Sequence, residues 1–182
     1  MAISDQESLT TRPGLPDALR VLVEAYPRAG WEAHPNFGEL VRFWLDRHLM
    51  FRQLGTLLRE DAQAMLDAKI GRDAYAPRLS HYGDMLLNQL HGHHQIEDMH
   101  YFPQLVGLDS RVARGFDLLE ADHAAMDGLL QDFAEGANGV LQGGEVGRFL
   151  DRLERFSGLL ERHLVDEEEI IVPVILHTGF RG

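Results

Sequence analysis

The sequence predicts an all-α protein, folded as an antiparallel, up-down-up-down four-helix bundle. Four long stretches place apolar residues at the a and d positions of a heptad, which is the pattern of helices that bury one face. No stretch shows the alternation of β-branched and aromatic residues that is typical of strands. With 182 residues, 45% of them hydrophobic, the chain is long enough for one domain with a sizeable core.

The chain divides into three predicted parts: an N-terminal extension over residues 1–34, a bundle over residues 35–178 and a C-terminal tail over residues 179–182. Within the extension, Leu15 to Tyr26 can form a short helix that covers one end of the bundle. The first bundle helix is predicted to begin after Asn36, a candidate N-cap, and to run toward Gly71. Its inward positions are Phe37, Val41, Trp44, His48, Phe51, Gly55 and Leu58.

The second helix is predicted to open near Pro77, because proline suits the first turn of a helix. We expect this helix to end or kink near Pro103, since proline removes a helical hydrogen bond. Its inward positions are Leu79, Gly83, Leu86, Leu90, His93, Glu97 and His100.

The third helix follows a loop over residues 106–110 and is predicted to stop at the glycine-rich run from Gly136 to Gly147. The fourth helix follows that run. Short connections of this kind favour antiparallel neighbours. The inward positions of the third helix are Val112, Phe116, Leu119, His123, Met126, Leu130 and Phe133. Those of the fourth are Phe149, Leu153, Phe156, Leu160, His163, Glu167, Ile170 and Val174.

Charge and composition exclude several functional classes. Seventeen basic residues against 29 acidic residues give a net charge of −12, which argues against nucleic acid and anionic membranes as partners. The absence of cysteine excludes disulfides, iron–sulfur clusters and thiolate nucleophiles, so any metal must have nitrogen and oxygen ligands. The N-terminus has no basic region followed by an apolar one, and we expect a cytoplasmic protein.

A motif of histidine and glutamate occurs twice in the chain and contains its candidate functional residues. At an offset of 70 residues both halves read His-x3-Glu-x5-Pro, and the preceding helix of each half adds one further histidine. Residues four apart lie on one helix face, so each histidine and its glutamate can reach a common point. The six residues at inward positions are His48, His93, Glu97, His123, His163 and Glu167.

Six ionisable side chains in an apolar core are unfavourable unless something compensates them. Two divalent cations would do so, whereas the alternative is a buried polar layer of hydrogen-bonded His–Glu pairs that fixes the helix register. Four imidazoles and two carboxylates suit iron, manganese or another first-row metal. Calcium and magnesium prefer oxygen, and a structural zinc site would not need six ligands.

The neighbouring pair His94 and Asp98 lies roughly 100° around the helix from His93. This phase predicts a partly exposed position or a supporting role rather than a direct ligand. Asp127, four residues after His123, is predicted to be solvated.

Two segments resemble the hemerythrin-like HHE cation-binding family. They are Leu90-His91-Gly92-His93-His94-Gln95-Ile96-Glu97-Asp98, leading to Tyr101-Phe102-Pro103, and His163-Leu164-Val165-Asp166-Glu167-Glu168, leading to Val172-Pro173. The resemblance covers about residues 36–176 and implies a four-helix bundle with a non-haem di-iron centre. It implies that His48 and His93 serve one iron, that His123 and His163 serve the other, and that Glu97 and Glu167 bridge the two. It further implies an exchangeable position for dioxygen.

The sequence departs from that family at Leu119. Invertebrate oxygen carriers have a histidine at this position, so one iron lacks its expected third imidazole. The candidates to replace it are His94 and His100, ranked ahead of His91 and His81. The departure puts simple reversible oxygen carriage in doubt.

The resulting hypothesis is a di-iron protein that binds or reacts with a small oxidant or diatomic molecule, namely O2, NO or peroxide. The alternative is a non-enzymatic iron or redox sensor, or a metal-binding interaction module. A ferritin-like oxidase is disfavoured because such sites use Glu-x2-His motifs and more carboxylates. Homo-oligomerisation is left open by the sequence.

Overall fold

The computed structural model describes residues 3–182, and this part of the chain is all-helical, without a strand. The all-α prediction is therefore confirmed, while the first two residues of the predicted extension lie outside the described residues. The α-helices are α1 (Val21–Ala25), α2 (Glu39–Leu66), α3 (Arg72–Ile96), α4 (Phe102–Leu105), α5 (Ala113–Leu141) and α6 (Val146–Thr178). Short 3-10 helices cover Asp5–Glu7, Asp17–Leu19 and Arg28–Gly30, and a π-helical segment covers Glu97–Tyr101.

The four long helices pack in a ring, in which α2 and α5 each contact both α3 and α6. Contacts between α2 and α6 run in opposite order along the two helices. The side-chain amide of Asn36 donates to the carbonyl oxygen of Leu176 at 2.8 Å, and Arg52 donates to Glu161 at 2.7 Å. Each long helix therefore has two neighbours and buries two faces.

Two predicted helix starts are wrong, whereas α5 ends at Leu141, within the predicted glycine-rich run from Gly136 to Gly147. The N-cap of α2 is Gly38, because the side chain of Asn36 binds the end of α6 instead. Helix α3 begins at Arg72, so Pro77 lies in its second turn, on the exposed side. Helix α5 continues through Gly136, where a Cβ atom would lie 3.0 Å from the ring of Phe149, so glycine allows close helix packing. A helical glycine costs only about 1 kcal/mol relative to alanine.

The kink predicted near Pro103 is observed as the π-helical segment at Glu97–Tyr101. Each π-helical turn takes one more residue than an α-helical turn, so the residues after Glu97 are rotated from the phase that an α-helix would give them. This rotation places His100 on the surface, although the heptad predicted an inward position. By contrast, α6 continues as an α-helix through Pro173 to Thr178.

Two apolar clusters form the core, and a polar layer lies between them. Along α2, Trp44 belongs to one cluster and Phe51 to the other, with His48 between them. Along α5, Leu119 and Met126 flank His123 in the same way. The fold therefore surrounds the predicted histidines with apolar side chains on both sides.

The N-terminal arm, which we define as residues 3–31, packs on the outside of the bundle. Its short helix α1 contacts α6, and Leu15, Leu19 and Leu22 are buried in the core cluster that contains Trp44. The short helix predicted between Leu15 and Tyr26 therefore covers part of the bundle. Among residues 3–182, no helix has the length and apolar character required to cross a bilayer.

Candidate metal centre

The structure brings all six predicted side chains into one polar layer and adds a seventh. His48, His163 and Glu167 have no solvent exposure, and Glu97 is 1% exposed. The seventh side chain is His94, which is 4% exposed. We call this set the histidine–glutamate cluster: His48, His93, His94, Glu97, His123, His163 and Glu167.

The cluster consists of two groups that are each tight enough for one ion. In the four-ligand group, one nitrogen or oxygen atom from each of His48, His93, Glu97 and Glu167 lies within 4.8 Å of the others. Nε2 of His93 is 3.2 Å from Nε2 of His48 and 2.9 Å from Oε1 of Glu97. In the three-histidine group, nitrogens of His94, His123 and His163 meet the same distance limit.

Each glutamate reaches both groups with its two oxygens. Oε1 of Glu97 faces His93 at 2.9 Å, while Oε2 faces Nε2 of His123 at 3.6 Å. Oε1 of Glu167 lies 3.4 Å from Nε2 of His48, and Oε2 lies 3.3 Å from Nε2 of His163. This arrangement is what a pair of carboxylates needs in order to span two cations.

Carboxylates outside the cluster hold the other ring nitrogen of three histidines. Nδ1 of His48 donates to Glu168 at 2.9 Å, and Nδ1 of His123 donates to Asp98 at 2.7 Å. Nδ1 of His163 lies 3.3 Å from Oδ2 of Asp122. A histidine whose Nδ1 donates to a carboxylate presents the lone pair of Nε2, and metal-binding histidines are commonly held in this way.

Several buried atoms of the cluster lack hydrogen bonds within the described part of the chain. They are both ring nitrogens of His94, both oxygens of Glu97, Nε2 of His123, Nε2 of His163 and Oε2 of Glu167. Unsatisfied buried polar groups are rare and costly in native proteins. Because these atoms face one another, metal ions would satisfy them together, and the residues present fit such ions.

The two glutamates have opposite pKa shifts. Burial, reinforced by the charge of Glu167, raises the pKa of Glu97 well above its usual value. Burial also opposes ionisation of Glu167, but the imidazoles of His48 and His163 outweigh it and hold the pKa of Glu167 well below its usual value.

The histidines also differ in charge. Burial lowers the pKa of His93 to about 3 and holds that of His94 well below its usual value, so both rings are neutral and have free lone pairs. Burial acts in the same direction on His163, but Asp122 and Glu167 outweigh it and raise the pKa of His163 to about 9. In the metal-free protein the imidazolium of His163 thus supplies positive charge beside Glu167.

His94 and His100 differ from their predicted positions. The predicted partial exposure of His94 is wrong, because α3 buries one face against α2 and another against α5. His93 lies on the first face and His94 on the second, where its ring is 5.2 Å from that of His163. His100 is exposed within the π-helical segment and lies outside the cluster. Asp127 is 66% exposed, as predicted.

Sequence reasoning missed the supporting side chains. Asp122 and Glu168 are buried next to ring nitrogens of the cluster, and the indole Nε1 of Trp44 donates to Oε1 of Glu167 at 2.5 Å. Asp122 directly precedes His123, and Glu168 directly follows Glu167. Adjacent acidic residues were the available signal, but helical phase alone would place them away from the ligands.

A cavity of about 360 Å³ between α2 and α3 opens at the surface and reaches His93 and Glu97. Its walls are largely aromatic and aliphatic, with Arg47 and Gln89 as polar lining residues joined by a 2.6 Å hydrogen bond. The apolar lining comprises Phe43, Trp44, Ile96 and Tyr101. The cavity therefore borders two residues of the four-ligand group, His93 and Glu97.

Comparison with known proteins gives one family. The sequence model described as "Hemerythrin HHE cation binding domain" matches residues 39–175, a span that contains the whole histidine–glutamate cluster. No curated protein and no solved structure gives a significant match to the chain.

Proposed function

Since the chain belongs to the hemerythrin HHE cation-binding domain family, which binds metal cations, we propose that the histidine–glutamate cluster holds two iron ions. We further propose that this centre binds or reacts with a small oxidant or diatomic molecule, namely O2, NO or peroxide. The observation that carries the proposal is the geometry of Glu97 and Glu167. Each places one oxygen toward the four-ligand group and the other toward the three-histidine group.

The proposal assigns His48 and His93 to one ion, and His94, His123 and His163 to the other. Glu97 and Glu167 would help to hold both ions, and His94 would supply the imidazole that Leu119 cannot. A ligand set of imidazole and carboxylate is suited to iron, although other first-row divalent metals can occupy it after purification. Iron, when bound, supplies redox chemistry and open positions for a small ligand.

The protein's own residues prepare the site in two ways. Glu168, Asp98 and Asp122 accept hydrogen bonds from Nδ1 atoms and so keep three histidines in the tautomer that presents Nε2. Trp44 holds an oxygen of Glu167 in place. The surrounding apolar clusters exclude bulk water, which strengthens charge interactions within the layer.

The position of the cavity supports a small, weakly polar ligand. The cavity reaches the four-ligand group, which contributes only two histidines, so the proposed ion on that side has more room for an external molecule. The aromatic walls favour uncharged diatomic molecules and peroxide over large or strongly charged substrates.

The proposal also covers the topology of the bundle, the partners of the protein and its location in the cell. We take the four long helices as an antiparallel up-down-up-down bundle, which the opposite order of contacts between α2 and α6 supports. The acidic net charge of −12 supports the view that neither nucleic acid nor a membrane is a partner. A cysteine-free chain is compatible with the proposed cytoplasmic location.

Metal analysis combined with optical spectroscopy tests the proposal. Protein purified and reconstituted with iron(II) without oxygen should contain two iron ions per chain. It should develop ferric charge-transfer bands on exposure to air or peroxide, or nitrosyl absorption bands on exposure to NO. A single tightly held ion, with no second site on titration, would overturn the two-iron assignment. Two ions with an unchanged spectrum in all three cases would overturn the proposed reactivity.

A metal-dependent sensor is the second candidate function, and contacts of the N-terminal arm favour it. Arg12 of the arm is buried against Asp122, which in turn contacts His163. Metal occupancy can therefore affect how firmly the arm is held. A sensor would change its partner binding with occupancy and would not turn over an oxidant.

A further inference from the structure

Arg12 carries a charge from the N-terminal arm into the interior of the bundle. The residue is 5% exposed, and its guanidinium group contacts both oxygens of Asp122. Its Nε donates to Asp166 at 2.7 Å, and its Nη1 donates to the backbone oxygen of Glu7 at 3.0 Å. A buried arginine with two carboxylate partners is fixed in place, because losing either partner would leave a charge uncompensated.

Asp122 links this arginine to the histidine–glutamate cluster. One of its oxygens lies 3.3 Å from Nδ1 of His163, and Asp122 is itself 2% exposed. A carboxylate in this position fixes the orientation and tautomer of the imidazole only if the carboxylate cannot rotate. The bidentate contact with Arg12 prevents that rotation, so the arm acts on His163 through a single intermediate residue.

Arg28 makes the corresponding contact on the other side of the cluster. Its Nη1 donates to Oε2 of Glu168 at 2.6 Å. Oε1 of the same carboxylate accepts from Nδ1 of His48 at 2.9 Å and from Arg52 at 2.8 Å. The guanidinium carbon of Arg28 also lies 4.5 Å from the ring centre of Trp31, which restricts the arginine side chain.

Of the arm's three arginines, Arg12 and Arg28 are therefore each linked, through one carboxylate, to a histidine of a different group. His163 belongs to the three-histidine group and His48 to the four-ligand group. The other supported histidine, His123, is held by Asp98, which lies beyond α3 in the π-helical segment and not in the arm.

We propose that Arg12 and Arg28 are positioning residues for the two metal sites, and that docking of the N-terminal arm sets the metal affinity of both. The inference rests on the proposed function, because it requires two metal ions in the cluster. Arg12 acts through Asp122 on His163, and Arg28 acts through Glu168 on His48. Removal of a supporting partner of this kind costs roughly 10–100-fold in metal affinity.

Metal binding must in turn affect docking of the N-terminal arm. If docking of the arm tightens metal binding, metal binding must tighten docking of the arm by the same factor. Metal-loaded protein should therefore expose the arm less often than metal-free protein does. Proteolysis within the arm reports this exposure when opening is fast relative to cleavage.

Cobalt(II) titration of the metal-free full-length chain tests the affinity. Wild type should bind two ions, while Arg28→Met and Arg12→Met should each weaken one binding step by roughly 10–100-fold and alter the cobalt absorption bands. Arg28→Lys should restore most of the affinity, because it keeps a cation beside Glu168. The matched control is Arg148→Met, which removes an exposed arginine of α6 that pairs with Glu145 and contacts neither the arm nor Asp122 nor Glu168.

The outcomes distinguish failure of the proposed metal binding from failure of the inferred role of the arm. Fewer than two ions in wild type would overturn the proposed function, and this inference with it. Two ions in wild type, with Arg12→Met and Arg28→Met matching Arg148→Met in affinity and spectrum, would overturn this inference alone. Arg28 has a half-exposed side chain, so its variant decides the question if Arg12→Met fails to fold.

Trypsin digestion of wild type provides the independent readout. Cobalt should slow cleavage within the arm, relative to cleavage after Lys69 in the exposed turn between α2 and α3. An unchanged ratio of the two cleavage rates would show that docking and metal binding are not coupled, which contradicts the proposal.

Discussion

The ring of His94 stacks on the ring of His123, with ring centres 4.0 Å apart and planes inclined by 13°. The stack joins α3 to α5 inside the polar layer and leaves both nitrogens of His94 without hydrogen bonds in the described chain. Leu119, one turn before His123, is fully buried in the apolar core. A fifth imidazole thus comes from α3, whereas the neighbouring helix α5 has Leu119 one turn before His123.

The first prediction concerns this fifth histidine. His94→Ala should weaken iron binding by the three-histidine group by roughly 10–100-fold and change the ferric charge-transfer bands, because it removes a neutral nitrogen ligand. His100→Ala is the matched control, since it removes a histidine from the same stretch that is exposed. Iron titration and absorption spectra make the comparison. Equal behaviour of the two variants would exclude His94 from the coordination.

The second prediction concerns metal removal. Chelation leaves Glu97 and Glu167 close together in a buried layer with unsatisfied atoms, so the melting temperature should fall. An ion present at a thousand times its dissociation constant contributes about 4 kcal/mol, equivalent to roughly 10 °C for a chain of this size. Scanning calorimetry should show recovery with iron(II) but not with magnesium, which prefers oxygen ligands. An unchanged melting temperature after chelation argues against occupancy of the cluster.

The third prediction concerns access through the cavity between α2 and α3. A Cβ atom at Gly92 would meet no atom within 4 Å, so Gly92→Leu can be accommodated and should narrow the cavity. Azide binding to the ferric protein, followed by stopped-flow absorption, should slow on the order of tenfold, a barrier increase of about 1.4 kcal/mol. Iron content should stay the same.

Gly128→Leu is the control for this variant. Gly128 also has open space around its Cβ position, and it lies on the exposed side of α5, away from the cavity. Both substitutions should stabilise their helices similarly, by about 0.5–1 kcal/mol. Equal azide rates in the two variants would show that azide reaches the centre by another route.

The fourth prediction concerns pH. Hydrogen bonds from Arg111 lower the pKa of Asp109 to about 2, against 3.8 in the unfolded chain. A lowered carboxylate pKa contributes stability that is present above the unfolded value and is lost as the pH falls through the folded value. Asp109→Asn should therefore cost about 1 kcal/mol near neutral pH, and this difference should shrink between pH 4 and pH 2.

Urea unfolding of both proteins at a series of pH values measures the difference. His177 also faces Asp109, with its Nε2 3.9 Å from Oδ2. As a control, the difference between wild type and Asp109→Asn should be measured again with His177→Gln present in both proteins. A difference that stays constant down to pH 2.5 would contradict the assigned role of the Asp109–Arg111 pair.

The heptad spacing of apolar residues is sufficient to predict the long helices and the polar layer. The heptad positions of His48, His123 and His163 correspond to side chains that are buried in the structure. Because an inward position depends only on helical phase, the sequence carries this information directly. The helix starts were less accurate, since the N-cap of α2 is Gly38 rather than Asn36 and Pro77 lies within α3 rather than at its start.

The errors at His94 and His100 have separate physical causes. A heptad pattern describes one buried face, whereas α3 packs against two neighbours and buries a second face that includes His94. His100 lies near the end of a π-helical segment, whose extra residue per turn is not visible in the spacing of apolar residues. Arg12 was not predictable, because its partners Asp122 and Asp166 are more than 100 positions away in the chain.

The π-helical segment also determines how far the internal repeat extends in three dimensions. In the sequence, five residues lie between Glu97 and Pro103, and five lie between Glu167 and Pro173. Pro173 is nevertheless buried within α6, whereas Pro103 is exposed to solvent. The pseudosymmetry of the two halves therefore stops at the glutamates, and a substitution tolerated at Pro103 gives no guide to its effect at Pro173.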